Sequence, residues 1–240
     1  MPFFGARELR QYSKFLDVLF LPSKALGKYL PCRFDCPIVP LPPGGNIPEG
    51  VMNQLGQGSQ DSLKLLYVGS VAPPHYDISK LVFLVEETPG VEFVVVSRQE
   101  AIDQNRERYK LDTLKSTRVC SASGKELEKF YAGCDAVAIV RAPSEYLAAC
   151  MPVKVFESLA FGVPLIVSSE STTVADFVRK EDIGWVVESM DDVAEILNRL
   201  KRDHGELAAK RSNAITVREG HTWKARAEEV VRKLRESKKV

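Results

Sequence analysis

Short apolar runs alternate with longer amphipathic stretches from Leu63 onward, and this alternation limits the possible folds more than any other feature of the chain. Six runs are rich in β-branched residues, apolar at consecutive positions and closed by Gly, Ser or Pro, as is typical of strands buried on both faces of a parallel sheet. The predicted strands are residues 65–68, 93–96, 118–120, 136–140, 165–167 and 185–187. The predicted helices are residues 77–87, 99–109, 125–132, 152–161, 173–179 and 190–201. This order predicts an α/β fold with a doubly wound, Rossmann-like parallel sheet, which binds ligands beyond the carboxyl ends of its strands.

The first 60 residues do not continue this alternation. We expect a helix at 7–16, a strand at 18–21, a helix at 23–30 capped by Ser23, and a strand at 38–41 that runs into Pro-Pro-Gly-Gly. This order is typical of the end of another α/β unit. The polar stretch after it predicts a linker. The expected division is therefore a remnant unit at 1–45, a linker at 46–62 and a ligand-binding unit at 63–240.

The composition favours a local binding pocket over a charged surface. Lys and Arg number 33 and Asp and Glu 32, so the bulk charge does not indicate nucleic acid as a partner. Five scattered cysteines indicate reduced thiols, and no apolar run reaches the ~20 residues of a membrane span. These features predict a cytoplasmic protein. A basic and apolar face within 7–16 leaves open a peripheral contact with the inner face of a membrane.

Residues 151–168 contain the most informative pattern. Pro152 suits the first turn of a helix and Gly162 its end. The spacing predicts one buried face, formed by Val153, Phe156, Leu159 and Ala160. At the far end of the chain, two charged helices are expected at 206–217 and 222–238, with Trp223 packing the second onto the core.

Lys154 and Glu157 lie three residues apart, one turn from each other on a different face of this helix. The free amides of Val153 and Lys154, together with the positive end of the helix dipole, form a suitable site for a diphosphate. A carboxylate such as that of Glu157 can accept two hydrogen bonds from a ribose diol. On spacing alone, an ordinary surface ion pair remains the alternative.

The wider pattern resembles the donor-binding helix of the GT-B-fold retaining glycosyltransferases of the group 1 type. The residues that carry this resemblance are Pro152, Lys154, Glu157, Ala160, Gly162, Pro164 and Ile166. Other segments agree in order, namely 65–70, 93–97, 127–135 and 184–187, so the resemblance covers about 63–234. Residues 17–23 and 38–44 resemble the last part of the acceptor-binding domain of the same enzymes.

The resemblance implies a nucleotide-diphosphate sugar as substrate, with UDP slightly favoured, and neither a cofactor nor a metal. Glu157 is expected to hold the ribose, and Lys154 with the Val153 amide the diphosphate. Further contacts are expected from Gly69, Ser70 and Arg141 to the phosphates, and from Ser97, Arg98 and Cys120 to the base. The expected acceptor is a glycan or a lipid-linked glycan.

Two departures from the family pattern concern the donor site. Many relatives have an acid eight residues before the ribose-binding Glu, where this chain has Ala149. Many also have an Arg and a Lys after the first strand, where this chain has Ser70 and no Arg nearby. The sequence assigns no catalytic residue, and transfer is expected to need an acceptor-binding domain, a partner chain or self-association. The alternatives are a non-catalytic nucleotide-sugar-binding module and a sugar-nucleotide epimerase.

Overall fold

The computed structural model describes residues 11–49 and 62–237. Two parallel sheets are present in these residues, one of two strands and one of six. The strands are β1 (Leu19–Leu21), β2 (Ile38–Pro40), β3 (Leu63–Val68), β4 (Val91–Ser97), β5 (Thr117–Ser121), β6 (Ala136–Ile139), β7 (Leu165–Ser168) and β8 (Gly184–Val187). All six predicted strands of the larger sheet are confirmed, with bounds that differ by at most two residues.

Helices follow most strands of the larger sheet. They are α1 (Ser79–Glu86), α2 (Gln99–Asn105), α3 (Glu128–Ala132), α4 (Glu145–Ala149), α5 (Val153–Ala160), α6 (Thr172–Glu181), α7 (Met190–Leu200), α8 (His204–Val217) and α9 (Trp223–Ser237). The short helix α4 was not predicted. None of the described helices is long and apolar enough to cross a membrane.

The strand order of the larger sheet is β5-β4-β3-β6-β7-β8, and all its strands are parallel. The chain builds outward from β3 to β5, then returns to the centre and builds outward to β8. The order therefore reverses between β3 and β6, whose following loops diverge and open a crevice at their carboxyl ends. This arrangement confirms the predicted doubly wound α/β fold.

The core has two layers, one on each face of the large sheet. Alternate residues of β3 divide between them: Leu65 and Tyr67 join the layer under α1 and α7, whereas Leu66 joins the layer under α5 and α6. All three are fully buried. Because successive side chains of a strand point to opposite faces, the continuous apolar runs in the sequence serve both layers at once.

Part of the N-terminal segment that the structure describes packs beside α4. Strands β1 and β2 pair in parallel, and a 3₁₀-helix (Lys24–Tyr29) lies between them in sequence where a helix was predicted. The Ser23 hydroxyl accepts a hydrogen bond from the Leu26 amide, as expected of a cap, and donates one to the Ala149 carbonyl at 2.5 Å. Residues 7–10 of the predicted helix at 7–16 and 50–61 of the predicted linker lie outside the described residues. The described part of that helix contains a short 3₁₀-helix (Ser13–Phe15).

Residues Gly44 and Gly45 cross the start of α9 in close contact. The Gly45 amide donates to the His221 carbonyl at 3.0 Å, and the Gly45 carbonyl accepts from the Trp223 amide at 3.2 Å. A Cβ atom at either glycine would collide with backbone atoms, those of Trp223 at Gly44 and those of Phe156 at Gly45. The crossing therefore requires glycine at both positions.

Trp223 does not pack α9 onto the core, and that prediction was wrong, since 47% of the residue is exposed. Arg226 makes the contact instead. Its Nε donates to the Pro43 carbonyl at 3.1 Å, and its guanidinium lies 5.3 Å from the centre of the Phe156 ring. A cation over an aromatic face, held by a backbone carbonyl, thus replaces the expected indole contact.

Candidate functional site

The start of α5 leaves its first backbone N–H groups without an intrahelical partner. Pro152 is not in the first turn, as the sequence predicted, but precedes it as the N-cap, with the extended backbone angles φ −78° and ψ 148°. Its side chain cannot accept a hydrogen bond, and the first turn contains no acidic residue. The amides of Val153 and Lys154 therefore remain available to an external anion.

The rest of α5 is enclosed by the core. Val155, Phe156, Ser158, Leu159 and Ala160 are buried, whereas Val153 is 42% exposed and does not belong to the buried face predicted for it. The helix packs against the sheet on one side and against α8 near its C-terminal end, so that Val155 and Ser158 are also covered. It ends as predicted at Gly162, whose φ of +66° few residues other than glycine adopt.

Lys154 extends from the start of α5 to the loop after β3. Its Nζ lies 4.9 Å from the centre of the Tyr67 ring, and a Cβ atom at Gly69 would collide with it. Gly69 also has a φ of +145°, which favours glycine. Burial and, to a smaller extent, the cation of Arg141 lower the pKa of Lys154 from 10.5 to about 7, and Glu157 opposes both.

Arg141 lies just beyond the end of β6 and is only 7% exposed. Its amide donates to the Ser168 hydroxyl at 3.0 Å and its Nη2 to the Ser171 hydroxyl at 3.4 Å, while its Nε has no hydrogen-bond partner. Burial lowers the pKa of this guanidinium. Among the described residues, no carboxylate forms an ion pair with either Arg141 or Lys154.

This pair of cations is energetically unfavourable without a counter-charge. Buried charges are normally paired, because the protein interior cannot replace the hydration that they lose. Arg141 is buried and Lys154 is partly buried, and the two lie close enough to interact beside an uncapped helix start, so they form a site that an anion would stabilise. A group with two negative charges, such as a diphosphate, matches the pair.

Glu157 is positioned by a residue that sequence reasoning missed. The Tyr131 hydroxyl donates to Oε2 of Glu157 at 2.9 Å, and Tyr131 itself is buried. Burial and the neighbouring carboxylate raise the pKa of Tyr131, so the phenol keeps its proton. The bond fixes one carboxylate oxygen and leaves the other to accept from a ligand. No sequence signal links the two residues, which are 26 positions apart.

The three residues predicted near the base lie at the carboxyl ends of β4 and β5. These strands are paired, with Val96 opposite Cys120. Ser97 is 4% exposed and its hydroxyl has no hydrogen-bond partner, whereas Arg98 is exposed. The Cys120 thiol lies 3.8 Å from the Val95 carbonyl. The Ser97 hydroxyl is therefore a buried polar group that lacks a hydrogen-bond partner at this end of the sheet edge.

Ser70 has its polar groups engaged within its own loop. Its carbonyl accepts from the Tyr67 hydroxyl at 2.6 Å, and its hydroxyl accepts from the Ala72 amide at 3.2 Å. These bonds hold the turn after β3 in place. The predicted residues therefore lie along one edge of the sheet, on both sides of the reversal between β3 and β6.

Of the two positions at which the chain departs from the family pattern, Ala149 lies in α4. Ala149 is buried in its last turn and is 2% exposed, and Glu145 is exposed in its first turn. No group of His, Cys, Asp or Glu side chains within 11–49 and 62–237 is arranged to hold a metal ion.

A cavity of about 320 Å³ opens at the same edge, between α1 and α7. Arg141 and Ser168 line it from β6 and β7, and Lys80 lines it from α1. It lies on the opposite face of the sheet from α5, and Arg141 stands between the two.

Several solved structures share this fold. Anabaena HepE (Alr3699), solved in complex with UDP and glucose, matches with a TM-score of 0.68 at 14% identity over 98% of this chain and 68% of that chain. WaaG, a glycosyltransferase involved in lipopolysaccharide biosynthesis, matches with a TM-score of 0.63 at 14% identity over 87% of this chain and 61% of that chain. S. aureus TarM, solved with UDP among other ligands, gives 0.64 at 12% identity over 95% and 45%. The chain thus spans about half to two thirds of these relatives, and at such identities they show the fold alone.

The comparison with curated proteins found no relative that matches. A family profile described as glycosyl transferase-like matches residues 79–232, which include the start of α5, Lys154, Glu157 and Arg141. The match covers more than half of the chain. The protein therefore belongs to the glycosyl transferase-like family.

Proposed function

We propose that this chain is the donor-binding half of a GT-B-fold retaining glycosyltransferase, which binds a nucleotide-diphosphate sugar at the carboxyl edge of its large sheet. Transfer to a glycan or lipid-linked acceptor then requires an acceptor-binding domain or a partner chain. The observation that carries the proposal is the unneutralised pair of Lys154 and Arg141 beside the uncapped start of α5.

The diphosphate occupies the space between the loop after β3 and the start of α5. The Val153 and Lys154 amides donate to its oxygens, and the Lys154 ammonium and the Arg141 guanidinium balance its charge. Because Gly69 has no side chain, the backbone of the loop after β3 can lie close to both Lys154 and the diphosphate.

The nucleoside lies along the edge from Glu157 toward β4 and β5. The free oxygen of the Glu157 carboxylate accepts from the ribose diol while Tyr131 holds the other. The base lies near Ser97, Arg98 and Cys120, where the unbonded Ser97 hydroxyl offers a partner. UDP is the nucleotide that we would examine first.

The same residues supply the chemistry of donor cleavage. Breaking the bond between sugar and diphosphate places growing negative charge on the leaving phosphate. Preorganised amides and fixed cations stabilise such charge without having to reorganise during the reaction. Lys154, Arg141 and the start of α5 thereby favour departure of the nucleotide, and the acceptor side provides the nucleophilic hydroxyl.

The proposed domains follow the same division. Residues 63–240 form the donor unit, 46–62 a linker, and 1–45 the end of an acceptor-side unit. The two-stranded sheet of β1 and β2 supports this assignment, because parallel strands normally belong to larger sheets covered on both faces.

Isothermal titration calorimetry of the purified chain with UDP, GDP and ADP tests the proposal. We expect one of the three to bind with a micromolar dissociation constant and Glu157→Gln to weaken that binding about tenfold, since an amide replaces one acceptor of the diol by a donor. Glu107→Gln, an exposed glutamate away from the edge, serves as the matched control. Failure of all three nucleotides to bind, with the protein folded, contradicts the proposal.

A second candidate function is a nucleotide-sugar-binding module that transfers nothing. The observation that favours it is Ala149, which places a buried methyl group where many relatives have a sugar-contacting acid. Release of free nucleotide from a nucleotide sugar, measured with and without an acceptor-domain partner, separates the two. A binding module releases none.

A further inference from the structure

The cavity between α1 and α7 is not used by the nucleotide site described above. Its volume of about 320 Å³ lies within the range of small-ligand sites. Leu81 and Val187 belong to its apolar lining, whereas Ser168, Glu170 and Glu188 add hydroxyl and carboxylate groups. Apolar surface together with hydrogen-bonding side chains suits a compact, hydroxyl-bearing molecule.

Arg141 joins this cavity to the proposed diphosphate site. It lines the cavity, and it is close enough to Lys154 for its charge to act on the ammonium group. The loop after β3 also serves both places, since Gly69 faces Lys154 and Pro74 lines the cavity. A ligand whose diphosphate contacts Lys154 therefore brings its next chemical group beside the mouth of the cavity.

Ala149 of α4 offers no polar side chain to that group. Ala149 is buried, and the carbonyl of its last turn is taken by the Ser23 hydroxyl. A sugar attached to the diphosphate thus has hydrogen-bonding side chains on the cavity side and none from Ala149.

Two carboxylates at the cavity have no partner within the described part of the chain. Glu170 and Glu188 are exposed, and neither side chain forms an ion pair or a hydrogen bond there. Asp77, the third acid at the cavity, is by contrast engaged by Ser79 and Arg108. Free carboxylates accept hydrogen bonds from sugar hydroxyls and repel a carboxylate on the ligand.

We propose that this cavity is the donor-sugar subsite and that it selects a neutral hexose over a uronic acid. The inference rests on the proposed function, because the diphosphate at Lys154 and Arg141 positions the sugar. Arg141 is neutralised by the diphosphate, so the charge facing the sugar is that of Glu170 and Glu188, with Lys80 as the opposing cation.

A cavity-filling variant tests the location of the sugar. Ala142 is exposed and lines the cavity, so Ala142→Phe occupies it without changing the core. The probes are UDP, UDP-glucose, UDP-galactose and UDP-N-acetylglucosamine, or the corresponding sugars of whichever nucleotide binds. At least one conjugate should bind the unaltered chain more tightly than the bare nucleotide. Ala142→Phe should remove that gain, about tenfold, while the bare nucleotide changes less than about twofold. Ala209→Phe, on the outside of α8, is the matched control.

A charge variant tests the selection. The double variant Glu170→Gln/Glu188→Gln should raise the affinity for UDP-glucuronic acid about fivefold relative to UDP-glucose, because the like charges are removed. The double variant Glu107→Gln/Glu228→Gln removes the same total charge from exposed positions elsewhere. It should leave the ratio unchanged.

The outcomes separate this inference from the proposed function. No binding of any nucleotide ends both. Nucleotide binding with no effect of Ala142→Phe on the gain from the sugar, or with an equal loss for the bare nucleotide, overturns the subsite and leaves the nucleotide site standing. An unchanged preference in Glu170→Gln/Glu188→Gln overturns the selection by charge.

Discussion

Helices α5 and α7 both begin at the carboxyl edge of the large sheet, but only α7 has side chains that bond its first-turn amides. At α7, the Ser189 hydroxyl accepts from the Asp192 amide at 3.1 Å, and Oδ2 of Asp192 accepts from the Ser189 amide at 3.0 Å, which forms a capping box. At α5, Pro152 provides no cap, and the first turn contains Lys154 instead of an acid.

The difference shows which helix start serves the fold and which is available to a ligand. The capping box of α7 satisfies its own N–H groups and complements the helix dipole, so nothing further is needed there. The start of α5 places a cation where the dipole is already positive, which is locally unfavourable. Such an arrangement makes physical sense if an anion completes it.

The largest effect is expected from Lys154→Met, which keeps the length of the side chain and removes its charge. Affinity for the nucleotide should fall about 30-fold, because a charge-assisted hydrogen bond to a phosphate is lost. Calorimetry measures it, with Lys224→Met on the exposed side of α9 as the control. Unchanged affinity would show that α5 is no more an anion site than α7.

The second prediction concerns pH. Because the pKa of Lys154 is lowered to about 7, the ammonium is charged below that pH and loses its proton above it. Nucleotide affinity should therefore fall about tenfold between pH 7 and pH 9. Lys154→Met provides the control, since its affinity should vary little over this interval.

Deprotonation of Lys154 also affects the stability of the free protein, and there it acts in the opposite direction to its effect on nucleotide affinity. Between about pH 7 and the ordinary pKa of lysine, the unfolded chain holds a proton that the folded chain has lost. The free energy of unfolding should then rise with pH across this window, and urea titrations at several pH values measure it. A rise that is equally large in Lys154→Met would exclude Lys154 as its source.

A third change gives α5 the kind of cap that α7 possesses. Pro152→Asp provides an acceptor for the first-turn amides and a negative charge that competes with the diphosphate. We expect nucleotide affinity to fall about fivefold while the melting temperature stays level or rises. Pro152→Ala removes the proline without adding the charge. An equal loss in both variants would assign the effect to the proline ring.

The smallest effect on binding is expected from the reciprocal change at α7. Asp192→Ala removes half of the capping box and should lower the melting temperature by about 3 °C. Affinity for the bare nucleotide should not change, because α7 contributes nothing to the proposed diphosphate site. Differential scanning calorimetry and nucleotide titration of the same sample check both parts.

The sequence predicted the large sheet and the position of α5, because apolar runs of fixed period and a Pro–Gly frame are local signals. It missed α4, which has only five residues, too few for a periodic pattern. It also misplaced Val153 and Trp223, whose exposure depends on what the rest of the chain brings against them.

The site was predictable only in part, for a related reason. Lys154 and Glu157 lie on one helix, so their spacing already brought them together. The Tyr131 hydroxyl that holds Glu157, the burial of Arg141 without a carboxylate and the cavity beside it all result from contacts between distant segments. Such contacts leave no local pattern in the sequence from which they could be predicted.

The crossing at Gly44 and Gly45 has a practical consequence for anyone who wishes to study the large sheet in isolation. The topology invites a minimal fragment that begins at Ser62, just before β3. In such a fragment, Arg226 would lose the Pro43 carbonyl and the Trp223 amide would lose its acceptor at Gly45, so the start of α9 would lose both of these bonds. Residues 43–45 thus hold the start of α9, near the other end of the chain, in place. The smallest workable fragment of this protein therefore includes them.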